Sequence, residues 1–192
     1  MLAEPIRVTM LVVDTLQSLG VPYAIGGSLA SAVHGVVRAT MDADLVADLH
    51  PGDVEPLAHA LGDVFYADPH MMRDAVRRRT SFNLIHLETM FKVDVFVAKR
   101  RPFDRSQLSR RQLHELGETS DARAYVSTAE DVVLAKLEWY RMGGDVSDRQ
   151  WRDVLGVLKV QGDRLAVDYL RRMASTLDVT DLLARALDEA AG

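Results

Sequence analysis

The chain has 192 residues, of which 48% are hydrophobic and 27% are charged, and its net charge is −5. This length and composition are ordinary for a soluble globular protein of one domain, or of one domain with an appended subdomain. The absence of cysteine excludes disulfides and thiolate metal sites, and no apolar run reaches the roughly 18–20 residues of a membrane span. We therefore expect a cytoplasmic protein with no membrane partner, and any contact with RNA must be local because the overall charge is negative.

The first hundred residues alternate between helical and strand patterns. Gly20 ends the first helix, and Ser28 is the expected N-cap of the second. The short connection Thr89-Met90 predicts that the last two strands form an antiparallel hairpin. The predicted elements are a helix over 5–19, a strand over 21–25, a helix over 28–36, a strand over 42–49, a helix over 53–61, and strands over 72–77, 81–87 and 91–98.

The remainder of the chain begins with a charged stretch and then becomes helical. Thr128 and Asp131 form a start similar to a capping box, and four helices are expected from there to the C-terminus. The predicted fold is α/β (α+β), with a mixed, mostly antiparallel sheet, helices on one side of it and a helical C-terminal segment. The expected parts are an α/β core over 1–100, a connecting segment over 101–127 and a helical subdomain over 128–192.

Two acids on one strand are the first candidate site residues. Asp42 and Asp44 are two residues apart, so they share a face of the strand at a spacing of about 6–7 Å. Paired carboxylates suit a divalent cation, which prefers hard oxygen ligands. Upstream, the turn Gly26-Gly27-Ser28 opens a helix, an arrangement that suits a phosphate. Taken alone, an Asp-x-Asp pair is weak evidence, because two aspartates on a solvated strand edge are more common than a metal site.

A third acid follows on a later strand. Asp94 is the only acid in the apolar run from Phe91 to Ala98, and an unpaired carboxylate would be costly to bury there. It should lie at an exposed strand end, pair with a cation or bind a metal. A solvent-facing aspartate is the alternative, because alternation places Asp94 opposite Val93 and Val95.

These residues resemble the nucleotidyltransferase superfamily that includes DNA polymerase beta. The shared pattern is Gly-Ser, about a dozen residues, Asp-x-Asp, and a distant single acid. The resemblance covers residues 23–98 and implies two Mg²⁺ ions, or Mn²⁺ in their place, held by Asp42, Asp44 and Asp94. It also implies transfer of a nucleoside monophosphate from a nucleoside triphosphate to an acceptor, with Asp94 helping to activate the attacking hydroxyl.

The helical half and the segment before the acids resemble the AbiEii-type branch, the toxins of abortive-infection and toxin–antitoxin systems. The matching segments are EDVVLAKLEWYR, SDRQWRDVLGVL and RATMDADLV. The resemblance implies that Lys136 and Asp153 join the active site, and that Arg38 and Thr40 contact the nucleotide together with Gly26, Gly27, Ser28 and Lys136. It also implies a cognate antitoxin as a partner.

The residues themselves leave two interpretations for each of Lys136 and Asp153, either a role in the site or contact with solvent. Lys136 is the one cation in the apolar run from Val132 to Leu137, where it could meet triphosphate oxygens or extend to solvent. Asp153 could belong to the site or be a solvated helix acid. Basic runs such as Arg77–Arg79 could likewise be solvated or form a local patch, with Arg77 and Arg79 on one strand face.

The function we expect is Mg²⁺-dependent nucleotidyl transfer to an RNA, a protein hydroxyl or a small hydroxylated molecule. Two alternatives stay open. One is a non-catalytic nucleotide-binding or partner-binding protein on the same fold, against which three intact acids argue. The other is an aminoglycoside-type antibiotic nucleotidyltransferase, which would need a deep acidic pocket for its polycationic acceptor.

Overall fold

The computed structural model describes residues 3–37, 39–117 and 122–192. In this part of the chain, no helix is both long and apolar enough to cross a membrane. Short 3-10 turns occur at Pro51–Asp53 and Gly162–Arg164. The elements in chain order are α1 Glu4–Ser18, β1 Tyr23–Ile25, α2 Gly27–Val33, β2 Asp42–Ala47, α3 Val54–Leu61, β3 Phe65–Tyr66, α4 Pro69–Arg78, β4 Ser81–His86, β5 Lys92–Val97, α5 Pro102–Arg110, β6 Gln112–Glu115, β7 Arg123–Val126, α6 Ala129–Met142, α7 Asp148–Gln161, α8 Val167–Thr176 and α9 Thr180–Ala191.

The described strands form one mixed sheet in the order β3-β4-β5-β2-β1-β7-β6. Neighbouring strands are antiparallel except for the parallel pairs β2–β5 and β1–β7. The predicted fold class, a mixed and mostly antiparallel sheet flanked by helices, is confirmed. So is the predicted hairpin, since β4 and β5 pair antiparallel across the Thr89-Met90 turn.

The two faces of the sheet differ in chemistry. Every second residue of β2 (Ala43, Leu45 and Ala47) is buried in the main core, which also contains residues of α1 and α3. On the opposite face, Leu108 of α5 packs with Val46 of β2, and Trp139 of α6 contacts Phe96 of β5. Helices therefore cover both faces, and the expectation of helices on one side is wrong. The cause is α5, which returns the chain to the face that carries the acids.

The C-terminal helices pack on the sheet through the same core. Leu134 of α6, Val154 of α7 and Leu183 of α9 belong to the cluster that contains the apolar face of the sheet. The predicted cap of α6 is confirmed, because the Thr128 side chain accepts the N–H of Asp131 at 3.3 Å. Helix α6 also reaches the acidic face of the sheet, where Trp139 contacts Phe96 of β5.

The predicted strand over 72–77 is wrong, because these residues lie in helix α4. Asp68 caps the helix by accepting the N–H of His70 at 2.8 Å, and Pro69 occupies its first turn. The buried residues of α4 are Met72, Ala75 and Val76, a helical spacing. An Asp-Pro pair before this spacing is a helix-start signal that outweighs the short apolar run.

The predicted strand face with Arg77 and Arg79 is also wrong, because these residues do not lie on a strand. Arg77 lies in the last turn of α4 and pairs with Asp74. Arg79 follows in the left-handed conformation, where its guanidinium donates to Asp48 at 3.1 Å and to the Ala98 carbonyl at 2.9 Å. These arginines hold the local structure together, so they do not present a shared basic strand face.

The segment 101–127 contains elements that sequence periodicity did not predict. Pro102 stands in the first turn of α5, and the Asp104 side chain accepts the backbone N–H of Arg101 at 2.9 Å. β7 then pairs parallel with β1, opposite Ile25, and carries β6 at the sheet edge. The division of the chain into three parts stays a prediction, with this segment supplying two strands to the sheet.

Candidate active site

Three acids meet where β2 and β5 run side by side. Asp42 and Asp44 lie on the same face of β2, each partly buried, while the residues between and after them are buried in the core. Asp94 of β5 stands directly opposite Asp44 in the parallel register, on strands about 4.8 Å apart. Alternation along two paired strands therefore brings together the three acids that the sequence identified.

The glycine turn before α2 lies directly against Asp44. The Gly26 N–H donates to the Asp44 carbonyl at 2.8 Å. Gly27 has a φ of +54°, and a Cβ placed on it would lie 1.7 Å from Asp44 Oδ2. Only glycine fits this approach. Because α2 begins at Gly27 with Gly26 as its N-cap, Ser28 is a buried residue of the first turn, and its expected role as N-cap is wrong.

We expect Gly27→Ala to damage the site far more than Gly20→Ala. Both glycines have positive φ, so both variants carry a backbone penalty of about 1–2 kcal/mol, but Gly20 has no neighbouring atom within 4 Å of a new Cβ. Thermal melting should show the backbone cost in both variants. The nucleotide binding that the sequence resemblance implies should be lost only in Gly27→Ala, because its Cβ displaces the Asp44 carboxylate. Equal binding by the two variants would contradict the close packing of turn and acid.

Burial and the neighbouring negative charges disfavour the ionised form of Asp44. Its pKa is raised to about 6, first by burial and then by the charges of Asp42 and Asp94, while Lys136 and Lys92 act in the opposite direction. Lys92 donates to Asp94 Oδ2 at 2.8 Å, and this hydrogen bond raises the pKa of Lys92. The other oxygen of Asp94, Oδ1, is buried without a hydrogen-bond partner.

These carboxylates fit a divalent cation by their chemistry. They are hard oxygen donors, and the Asp94 Oδ1 atom lacks a partner. Burial and the neighbouring acids raise the pKa of Asp44, so a cation would stabilise its ionised form. Within the described residues, no group of three or more His, Asp or Glu side chains is already close enough to hold a metal. Side-chain movement would have to accompany binding.

Thr40 acts on Asp42. Its hydroxyl donates to the Asp42 carbonyl at 2.8 Å and lies 3.0 Å from Asp42 Oδ1. This contact orients the carboxylate, and Thr40 is not among the described residues that line the cavity below. Arg38, the other residue expected before the acids, lies outside the described residues.

Lys136 and Asp153 form a buried ion pair between α6 and α7. Lys136 Nζ donates to Asp153 Oδ2 at 2.8 Å, and the two side chains are 10% and 5% exposed. The solvated interpretations of both residues are therefore wrong. The pair faces the acids closely enough that the Lys136 charge lowers the pKa of Asp44.

A cavity of about 290 Å³ joins these parts. The predicted site residues on its wall are Gly26, Gly27, Ser28, Asp42, Asp44, Lys136 and Asp153. Asp94 is absent from the described lining and stands beside Asp44 in the sheet. Most of the predicted site thus converges on one space, although more than 120 positions separate the glycine turn from Asp153.

The cavity also contains residues that sequence reasoning missed. Arg101 holds two lining acids, donating to Asp104 Oδ2 at 2.9 Å and to Glu138 Oε2 at 3.1 Å. Trp139 and Gln150 line it too. The available signal for Arg101 was Pro102, which marks a helix start with the preceding residue at the cap. Nothing in the helical periodicity distinguishes Trp139 from a core residue.

Solved structures with the same fold are nucleotidyltransferase-like. An antigenic nucleotidyltransferase-like protein from Paracoccidioides brasiliensis is 15% identical, with a TM-score of 0.58 over 98% of this chain and 94% of that one. The antibiotic-resistance factor ANT(2'')-Ia is 12% identical, with a TM-score of 0.57 over 89% and 91%. The lincosamide antibiotic adenylyltransferase LnuA, solved with lincomycin bound, is 15% identical, with a TM-score of 0.50 over 83% and 98%.

No protein-family model matches the chain. No curated protein matches it at the sequence level either. At identities this low, the structural likeness establishes a nucleotidyltransferase-like fold, and the reaction has to be argued from the site.

Proposed function

We propose that this chain is a metal-dependent nucleotidyltransferase. The observation that carries the proposal is the packing of the Gly26-Gly27 turn against Asp44, on the wall of a cavity that also contains Asp42 and the Lys136–Asp153 pair. Phosphate-binding backbone, carboxylates for a cation and a buried ammonium are the three parts that phosphoryl chemistry needs. The shared fold of antibiotic adenylyltransferases supports the same class.

In this proposal, Asp42, Asp44 and Asp94 would hold Mg²⁺ or Mn²⁺, which supplies Lewis-acid stabilisation of the phosphate oxygens. The turn at Gly26, Gly27 and Ser28 would bind the triphosphate through the backbone of Gly27 and Ser28, because the Gly26 N–H already donates to the Asp44 carbonyl. Thr40 orients Asp42, and Arg38 is the further nucleotide contact that the resemblance implies.

The transfer itself needs a hydroxyl acceptor. The acceptor oxygen bonds to the α-phosphorus, the bond to the β-phosphate oxygen breaks, and pyrophosphate leaves. The resemblance implies that the Asp94 carboxylate helps to activate the acceptor hydroxyl, and for this Asp94 would have to turn toward the cavity, because its Oδ1 atom is buried. Lys136, held in place by Asp153, stabilises the negative charge that develops on the phosphates as a fixed point charge.

The acceptor remains an RNA, a protein hydroxyl or a small molecule. A polycationic aminoglycoside has less support, because Arg101 pairs with Asp104 and Glu138, and Lys99 and Arg149 also line the cavity. The AbiEii-type branch, a toxin role, a cognate antitoxin and a cytoplasmic location stay predictions from the sequence.

The proposal predicts that metal and nucleotide stabilise the protein together. Saturating Mg²⁺ plus a nucleoside triphosphate should raise the melting temperature by more than the sum of the two separate effects, because each completes the binding site of the other. Ligand at a hundredfold excess over its Kd adds about 2.7 kcal/mol to the free energy of unfolding. A melting curve unmoved by the combination would contradict a nucleotide site in this chain, and inorganic phosphate with Mg²⁺ serves as the control.

A further inference from the structure

One wall of the cavity is apolar and incompletely covered. Phe96 follows Asp94 by two residues on the same face of β5, and Trp139 meets it edge-on with ring centroids 5.4 Å apart. Trp139 is 45% exposed and Met142 is 61% exposed, and both line the cavity. Single exposed apolar residues are ordinary. Here the indole of Trp139 and the thioether of Met142 line the same cavity, so together they form an apolar surface that is open to a ligand.

A polar group lies at the same level of the cavity. Trp139 of α6 and Gln150 of α7 each lie about one helical turn from the Lys136–Asp153 pair, toward the loop that joins the two helices, and both line the cavity. Gln150 Oε1 is buried and has no hydrogen-bond partner. A buried carbonyl without a partner is costly, and this one belongs to a residue that lines the cavity.

We propose that Trp139, backed by Phe96, and Gln150 form the subsite for the nucleobase of the nucleoside triphosphate. This inference rests on the proposed function. The indole stacks on the flat face of the base, and the amide of Gln150 accepts a hydrogen bond from its polar edge. A nucleobase combines these two features, since each base has a π-face and a hydrogen-bonding edge.

The position of the wall agrees with the chemistry of the substrate. Residues two apart on a strand are separated by about 6–7 Å, so Phe96 lies one such step beyond Asp94. The α-phosphate reacts at the acids, and in a nucleotide the base stands one ribose away from that phosphate. The glycine turn takes the β- and γ-phosphates at the same end of the sheet, which leaves the Trp139 wall for the base.

The experiment compares ATP with inorganic tripolyphosphate, which has the phosphates without the base, each in the presence of Mg²⁺. Binding heat gives the Kd. Quenching of tryptophan fluorescence reports on the wall, because Trp139 lines the cavity and the other tryptophan, Trp151, is buried and is not among the described lining residues. We expect ATP to quench the fluorescence of the wild-type protein and tripolyphosphate to bind without quenching.

Variants of the wall test how much the base contributes to the affinity for ATP. Trp139→Leu should weaken ATP binding by about tenfold, in the range of one base–aromatic stack, and should leave tripolyphosphate binding and the Trp151 fluorescence unchanged. Trp139→Phe should bind ATP with intermediate affinity, and Gln150→Ala should weaken ATP alone. Tyr66→Leu, at a 54% exposed aromatic residue on edge strand β3, is the matched control with wild-type affinity.

Two results would overturn the inference, and they are distinguishable. If ATP binds equally well to wild type, Trp139→Leu and Gln150→Ala while tripolyphosphate binds normally, the base lies elsewhere, and the subsite fails while the proposed function survives. If neither ATP nor tripolyphosphate binds the wild-type protein, the proposed function fails and the subsite fails with it.

Discussion

Asp44→Asn should abolish nucleotidyl transfer while leaving the protein folded. Asp44 is the acid in contact with the glycine turn, beside Asp42 on its own strand and Asp94 on the next. Replacing its carboxylate with an amide removes a charged metal ligand without changing the side-chain shape. We expect the rate of pyrophosphate release from a labelled triphosphate to fall by at least about 10³-fold. Asp63→Asn, at an exposed turn acid, should retain the wild-type rate.

The same variant should change the pH dependence of stability. The folded-state pKa of Asp44 is raised to about 6 from an ordinary 3.8, so between these pH values the folded state binds more protons than the unfolded state. The contribution of Asp44 to the free energy of unfolding is therefore fully present below about pH 4. It is lost as pH rises through 6, because the buried carboxylate then ionises in the folded state. In EDTA, Asp44→Asn should match wild type at pH 4 and exceed it by up to about 3 kcal/mol at pH 7.5, at about 1.4 kcal/mol per pKa unit. Denaturant unfolding at both pH values measures this, and equal stability at pH 7.5 would contradict the raised pKa that burial and the neighbouring acids give Asp44.

Lys136→Ala should lose both activity and stability. The substitution leaves the Asp153 carboxylate buried without its ammonium, and breaking a buried ion pair from one side costs about 3–5 kcal/mol. Transfer should fall by about 10²–10³-fold, because the point charge facing the phosphates is gone. Lys136→Arg should restore activity in part, since its charge is spread over a planar fork. Lys159→Ala, at an exposed position near the C-terminus of α7, should stay within about 0.5 kcal/mol of wild type.

A double variant separates the structural role of the pair from its role in transfer. Lys136→Met combined with Asp153→Leu replaces both charges with apolar side chains, and such replacements are often neutral for stability. We expect its free energy of unfolding to recover most of the loss while transfer stays absent. Full activity in a folded Lys136→Ala variant, or in the double variant, would show that the pair has only a structural role.

The acids could be predicted from sequence because their geometry is local. Alternation along a strand fixes that Asp42 and Asp44 share a face, and the apolar neighbours of Asp94 mark it as unusual without any knowledge of the fold. The glycine turn is similarly local, although the reason for Gly27 is not, since it depends on the approach of Asp44 from the next strand.

The rest of the site depends on packing between distant segments. The resemblance to the AbiEii-type branch pointed to Lys136 and Asp153 separately, but only the structure shows that they bond to each other. Trp139 fits a helical apolar pattern, so its exposure to the cavity is visible only once α6 lies on β5. Helix α4 was misassigned because a short apolar run with basic residues resembles a strand, and the Asp68 cap was the signal that decided against it.

The most direct test of the account is a structure of the protein with Mg²⁺ and a triphosphate that cannot be cleaved between its α- and β-phosphates. The account predicts the α-phosphate beside Asp42 and Asp44, the terminal phosphates on the Gly26–Ser28 turn and Lys136 in contact with them. A nucleotide bound elsewhere, for example in the groove between α1 and strands β6 and β7 that Arg111 and Arg123 line, with the acids left empty, would contradict it.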